Sequence, residues 1–362
     1  MQKHTAQAQI QTINTQTIYR VGKTSPRRLL AALSLAVIWS QSFYCDPALA
    51  QGQTQHAKVK PRAQLLHFNR TQSKIGVIKK LVVRDKSREK DLEMRVSYPL
   101  APGNYPVFVF SHGAGSSKDG YTQLTEYLAN NKFICIQPTH DDSIGKLRQK
   151  NFTANIGTAL ATTNDQKYWI NRARDMVAVL DNLDEIATKI PSGVTMDKSK
   201  IACGGHSFGA FTTLILAGAP VLIPDGISPT YKGLTDFGDE RFKAFLVLCG
   251  QGTGKVGLCF PSADSYGQIK KPMMVMTGSK DKGQRGQPPE WRMESFTYSK
   301  GDNKYLVFIN GANHMSFSGN IFAPITEGGR GLISGILATK HGKEKSEEGS
   351  PKKEDKGPAK PI

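Results

Sequence analysis

Gly204-Gly205-His206-Ser207-Phe208-Gly209-Ala210 is the stretch of this sequence with the clearest capacity for chemistry. Glycines stand two residues before and two after the serine, between an apolar strand-like run at 200–203 and an apolar helix-like run at 208–218. A serine on a tight strand-to-helix turn needs small neighbours at those two positions, because strand and helix pass closely there. The turn also sets the hydroxyl at the helix N-terminus, where the backbone dipole favours developing negative charge. In a chain with 35 glycines the bare Gly-x-Ser-x-Gly string can arise by chance. Its position between this strand and this helix makes Ser207 the expected nucleophile of an acyl transfer.

A serine hydroxyl attacks only when a base takes its proton. Where serine sits on such a turn, the histidine follows the last strand of the sheet. Of the eight histidines, His4 is in the leader, His341 in the tail, and His56 and His67 precede the sheet. His206 adjoins the serine but points elsewhere, His112 belongs to the loop after the third strand, and His140 comes too early in chain order. His314, directly after the strand-like run 305–310, is the expected base. The carboxylate that orients it is expected at Asp281, just beyond the run 273–277, with Asp264 as its rival. Asp236, Asp239 and Asp302 read as solvated loop charges. Two backbone donors must meet the oxyanion. One is expected at Phe208, the residue after the nucleophile, and the other at Ala114, with Gly113 as the alternative, in Ser111-His112-Gly113-Ala114-Gly115-Ser116.

These residues need a scaffold that brings distant segments to one edge. Strand-like runs at 76–84, 92–98, 107–111, 133–137, 200–203, 245–249, 273–277 and 305–310 alternate with helix-like runs at 121–131, 171–186, 208–218 and 321–338. Short apolar strands alternating with helices predict a mostly parallel sheet covered on both faces. Two long stretches, 151–168 and 219–239, are expected beside the cleft as lids or pocket walls. Trp169 and Trp291 are candidates for stacking on a substrate, although partly buried packing is the commoner fate of a lone tryptophan.

His112-Gly113-Ala114-Gly115, then Thr139-His140-Asp141-Asp142-Ser143, then Gly-His-Ser-Phe-Gly together resemble the platelet-activating-factor acetylhydrolase and predicted dienelactone hydrolase group. The chain is also similar to the cutinase-like polyester hydrolases, and the resemblance spans residues 92–319. It implies an α/β-hydrolase fold, a two-step acyl-enzyme mechanism on carboxylic esters, and no metal or organic cofactor. Dienelactone hydrolases proper use a cysteine where this chain has Ser207, so lactone specificity does not carry over. The eukaryotic acetylhydrolases carry their acid after the sixth strand, where this chain has no early Asp, and the resemblance therefore also favours Asp281. Acyl transfer or peptide hydrolysis on the same triad, and a non-catalytic binding protein with the same fold, are the competing readings.

The ends of the chain concern location. Arg27 and Arg28 precede an apolar run at 29–39, and Ala48-Leu49-Ala50 offers a small-x-small cleavage pattern, so residues 1–50 read as an export signal. The expected location is periplasmic or secreted. No apolar run approaches the roughly 18–20 residues of a membrane span. Residues 51–74 read as a linker, 75–339 as the catalytic domain, and 340–362 as a disordered basic tail. Loss of residues 1–50 removes five basic residues (Lys3, Arg20, Lys23, Arg27, Arg28) and one acid (Asp46), taking the formal charge of +18 to +14. Those charges are dispersed, with no motif for nucleic acid, and suit at most peripheral contact with anionic surfaces. The expected partner is a small-molecule, lipid or polyester ester substrate. Cys249 and Cys259 bracket a Gly-rich loop and form the favoured disulfide pair, Cys135 and Cys203 are expected as buried thiols, and no Cys or His spacing resembles a zinc site.

Overall fold

The computed structural model describes residues 74–254 and 261–318, together with the backbone of two strands, β1 (Gln9–Ile13) and β2 (Gln16–Val21). The expected linker, tail and final helix at 321–338, and Cys259, lie outside the described residues. Most of the expected export signal does as well; β1 and β2 fall inside it. Among the described residues no helix is long and apolar enough to cross a membrane.

The strands that follow are β3 (Ile75–Asp85), β4 (Lys90–Pro99), β5 (Gly103–Ser111), β6 (Ile134–Pro138) and β7 (Val194–His206). After them come β8 (Val221–Ile223), β9 (Gly233–Thr235), β10 (Phe242–Leu248), β11 (Met273–Gly278) and β12 (Lys304–Ile309). One sheet takes them in the order β1-β2-β12-β11-β10-β7-β5-β6-β4-β3, while β8 and β9 pair separately as a hairpin. From β6 through β12 every neighbouring pair is parallel. The strands β3 and β4 enter antiparallel at one edge, and β2 pairs antiparallel with β12 at the other. The parallel strands read as continuous apolar runs because helices cover both their faces, and β11 is buried at all six of its residues.

On one face, α1 (Thr122–Asn130) lays Leu124 and Leu128 against Phe108 and Phe110 of β5. The small helices α2 (Ile144–Lys150) and α3 (Ile156–Ala161) come next in the chain. On the opposite face, α4 (Gln166–Asp181), α5 (Leu183–Ala187) and α6 (Phe208–Leu216) pack in the larger core. Every residue of α6 is buried; each large apolar side chain so enclosed contributes roughly 1.5–3 kcal/mol. The helix expected at 171–186 starts earlier and breaks at Asn182. The Asp165 side chain accepts from the Lys167 N–H and caps the new start, and Trp169 and Ile170 join the buried face.

Parallel strands place their C-terminal ends at a common edge, where open α/β sheets carry their sites. Ser207 follows β7 with φ 55° and ψ −115°, in a region that L-residues rarely occupy. The two glycines beside it are sterically required. A Cβ on Gly209 would lie 1.9 Å from the Ser111 carbonyl oxygen, and one on Gly205 would lie 2.2 Å from the Gly209 carbonyl oxygen. Both neighbours are backbone and cannot swing aside. We expect Gly209→Ala to destabilise the fold by about 3 kcal/mol or more, read as a drop in thermal midpoint and in yield of soluble protein; an unchanged midpoint would contradict this tight approach.

Candidate active site

His314 begins a 3₁₀ turn, His314–Phe317, just past β12. Asn313 caps that turn, its side chain accepting from the Met315 and Ser316 N–H groups. The ring donates from Nδ1 to Asp281 Oδ1 at 2.9 Å, which leaves Nε2 as the ring nitrogen without a partner among the described residues. Asp281 sits on the turn after β11, fully buried, and also accepts from Thr277 Oγ1 at 2.8 Å. Arg292 brings its Nε to 3.2 Å from Asp281 Oδ1, while its Nη atoms donate to the Cys249, Gly250 and Lys282 carbonyls. Burial alone would raise the Asp281 carboxyl. The His314 hydrogen bond and the Arg292 charge outweigh it and hold the group at about 2.

The elbow and the histidine turn are joined directly. Ser207 N–H donates to the Leu248 carbonyl, and the His206 and His314 rings lie 4.8 Å apart. Among the described residues the Ser207 hydroxyl makes no hydrogen bond, and in unliganded sites such bonds commonly tighten only with substrate. A hydrogen-bond chain fixes the parts around it. The Gly113 N–H donates to Tyr121 Oη, whose hydroxyl donates to His206 Nδ1, and His206 Nε2 donates to the His314 carbonyl. Burial, with the neighbouring His314, pushes the His206 imidazole well below the usual histidine range, so it stays neutral as this chain requires.

In the loop after β5 the two candidate donors differ in their partners. Gly113 N–H is engaged by Tyr121, Gly115 N–H faces Asp142 Oδ2 at 3.3 Å, and Ser116 N–H donates to the Gly113 carbonyl. Ala114 N–H has no partner among the described residues, and neither has Phe208 N–H at the start of α6. Both expected oxyanion donors therefore keep an N–H without a partner among the described residues.

A cavity of about 440 Å³ opens beside Ser207. Phe208, Phe211 and Trp291 supply apolar wall, and Gln251, Thr253 and Gln287 supply polar wall. Thr163 and Asn164 also line it, so the stretch 151–168 does reach the cleft. The stretch 219–239 does not: it forms the β8–β9 hairpin, and Pro220, Leu234 and Asp236 border a separate surface depression. Trp169 is buried packing with its Nε1 on the Thr163 carbonyl, whereas Trp291 lines the cavity.

The structure thus brings Ser207, His314, Asp281, Phe208 and Ala114 to one edge. Asp264, the rival acid, is exposed at the start of the helix Ala263–Tyr266 and away from the cavity. Cys135, Cys203 and Cys249 are buried free thiols. Cys249 Sγ lies 3.8 Å from the His314 carbonyl, and the Cys259 expected to pair with it is outside the described residues. His206, Cys249 and His314 could bring three ligand atoms within 4.8 Å of one another. Both nitrogens of His206 are already committed, so the donor set does not fit a resident metal. Sequence reasoning missed Arg292, Tyr121 and Arg172. A buried-face signal existed for the last, since Arg172 and Asp175 share the helical stripe of Trp169, Ala173 and Met176.

The chlorophyllase family model matches residues 67–220, which include Ala114 and Ser207 but end before Asp281 and His314. A ferulic acid esterase from Streptomyces cinnamoneus is similar at 18% identity and TM-score 0.49, covering 75% of this chain and 87% of its own. A putative dienelactone hydrolase from Klebsiella pneumoniae is similar at 16% identity and TM-score 0.46, covering 74% and 98%. A dienelactone hydrolase-like promiscuous phosphotriesterase from metagenomic libraries is similar at 16% identity and TM-score 0.44, covering 74% and 95%. No curated protein matches the chain.

Proposed function

We propose that this chain is a serine hydrolase of the α/β-hydrolase superfamily, cleaving short or medium acyl esters through an acyl-enzyme intermediate; the strand order and the chlorophyllase model's match to residues 67–220 support this reading. The observation that carries the reading is the His314–Asp281 pair at 2.9 Å, held against the elbow that presents Ser207 at φ 55°. In this reading Ser207 Oγ attacks the ester carbonyl while His314 Nε2 takes its proton. Asp281 fixes the ring tautomer and stabilises the imidazolium that forms. The Phe208 and Ala114 N–H groups meet the oxyanion, typically worth on the order of 3–4 kcal/mol per donor. Collapse of the tetrahedral species expels the alcohol, which takes the proton from His314. Water, activated by the same histidine, then releases the acid and restores Ser207. The apolar wall of Phe208, Phe211 and Trp291 suits an acyl chain, and the cavity falls within the range of small-molecule pockets.

Rapid mixing with p-nitrophenyl acetate and butyrate tests this. A burst of p-nitrophenol of one equivalent per chain is expected, with fluorophosphonate labelling of the peptide that holds Ser207. No burst, no label and no turnover would reject the reading.

The proposal extends to location: an exported enzyme cut after Ala50. Its support is the Arg pair, the short apolar run and the Ala48-Leu49-Ala50 pattern. N-terminal sequencing of protein recovered from the periplasm or medium should begin near Gln51; recovery of the uncut chain from the cytoplasm alone would refute it.

A further inference from the structure

Behind the loop that carries Ala114 lies a layer of buried charge that the mechanism above does not use. Arg172, on α4, is 1% exposed. Its Nε and Nη2 grip both oxygens of Asp142, at 2.8 and 2.7 Å. Its Nη1 donates to the His112 carbonyl at 2.7 Å and to Ser111 Oγ at 3.1 Å, and its Nη2 reaches the Gly113 carbonyl at 3.5 Å. The same guanidinium lies 4.2 Å from the centre of the Phe208 ring.

The protons in this layer can be assigned. His112 Nε2 accepts from the His140 N–H, so His112 carries its proton on Nδ1 and donates to the Gly113 carbonyl at 2.7 Å. Ser111, accepting from Arg172, passes its own proton toward His140 Nε2 at 2.9 Å, and His140 Nδ1 donates to Asp175 at 2.9 Å. Ser111, His140 and Asp175 have the residue types of a catalytic triad, but all three are fully buried and serve as scaffold. Every member of the chain has a partner, which is the condition for a buried polar layer to be rigid.

We infer that Arg172 is a positioning residue whose single guanidinium braces both arms of the oxyanion hole. Through the His112 and Gly113 carbonyls it orients the peptide that presents Ala114 N–H. Through the Phe208 ring it steadies the residue that presents the other N–H. Asp142 aims the fork, and a buried arginine would be costly without it. A flat, five-donor guanidinium can reach two carbonyls, a hydroxyl, a carboxylate and a ring face at once, and the point charge of lysine cannot.

This inference rests on the serine-hydrolase reading, and its test separates the two. Arg172→Lys keeps the charge and loses the fork; Asp142→Asn keeps the volume and loosens the aim. Both are assayed with p-nitrophenyl butyrate, with rates normalised to sites titrated by a fluorophosphonate and with the Ki of phenylboronic acid, which mimics the tetrahedral species. Expected is a fall in kcat of about 10- to 100-fold with KM within about threefold, and a boronate Ki weakened by the same factor as kcat/KM. A merely structural brace would lower the number of titratable sites and leave kcat per site and Ki unchanged, which would overturn the inference. A rise in KM alone would do the same. Should Arg172→Lys fail to fold, Asp142→Asn decides. Failure of wild type to turn over or label would instead count against the serine-hydrolase reading.

Discussion

Replacing Ser207 with alanine is expected to lower kcat toward p-nitrophenyl butyrate by about 10⁴- to 10⁶-fold, with the fold intact. The substitution removes one oxygen from a half-buried position that makes no hydrogen bond among the described residues, so nothing else loses a partner. Residual hydrolysis should then reflect the oxyanion donors and the cavity alone. Stopped-flow traces should lose the burst, and a far-ultraviolet spectrum and thermal scan should match wild type. Equal turnover in the two proteins would remove Ser207 from the chemistry.

Asp281→Asn should lower kcat by about 10⁴-fold, because the amide can donate to His314 Nδ1 and stabilise the wrong ring tautomer. It carries a second signature that Ser207→Ala lacks. Asp281 is fully buried against Arg292, itself 3% exposed, and loss of the carboxylate leaves that guanidinium without its ionic partner. A cost of about 3 kcal/mol at neutral pH is expected. The sign with pH follows from the direction of the shift. Because the folded carboxyl is held at about 2, below its unfolded value of roughly 3.9, its stabilisation is complete above pH 4 and fades as pH falls toward 2. Denaturant melts from pH 7 to 2 should therefore show wild type and Asp281→Asn converging on the acid side. A constant gap between the curves would mean that Asp281 is not the depressed carboxyl.

The elements of the proposed site were legible where a local pattern recorded a local constraint. Gly205 and Gly209 are small because backbone passes within the reach of a Cβ, and that requirement is visible in any chain with such a turn. His314 and Asp281 could be located because the order of strands fixes which loops reach the common edge. The expectation of Phe208 and Ala114 came from the turn and from the loop after β5, and the Tyr121 hydroxyl on Gly113 N–H is the contact that favours Ala114 over Gly113 as a proposed donor. Arg172 and Arg292 were not legible in this way. Arg172 meets Ser111 across 61 positions and Asp142 across 30, and the sequence at neither end records the partner. The stretch 219–239 misled for the same reason: its length was visible, and the face on which its hairpin would lie was not.

The backbone at residue 207 has one more implication. Its φ of 55° with ψ −115° is a conformation open to glycine and costly for anything bearing a Cβ, by about 1–3 kcal/mol. Thermostability alone would favour Gly-His-Gly-Phe-Gly at the elbow. That the chain spends part of its marginal folding energy to hold a hydroxymethyl group there means that mutational drift toward a sturdier protein runs through loss of the hydroxyl.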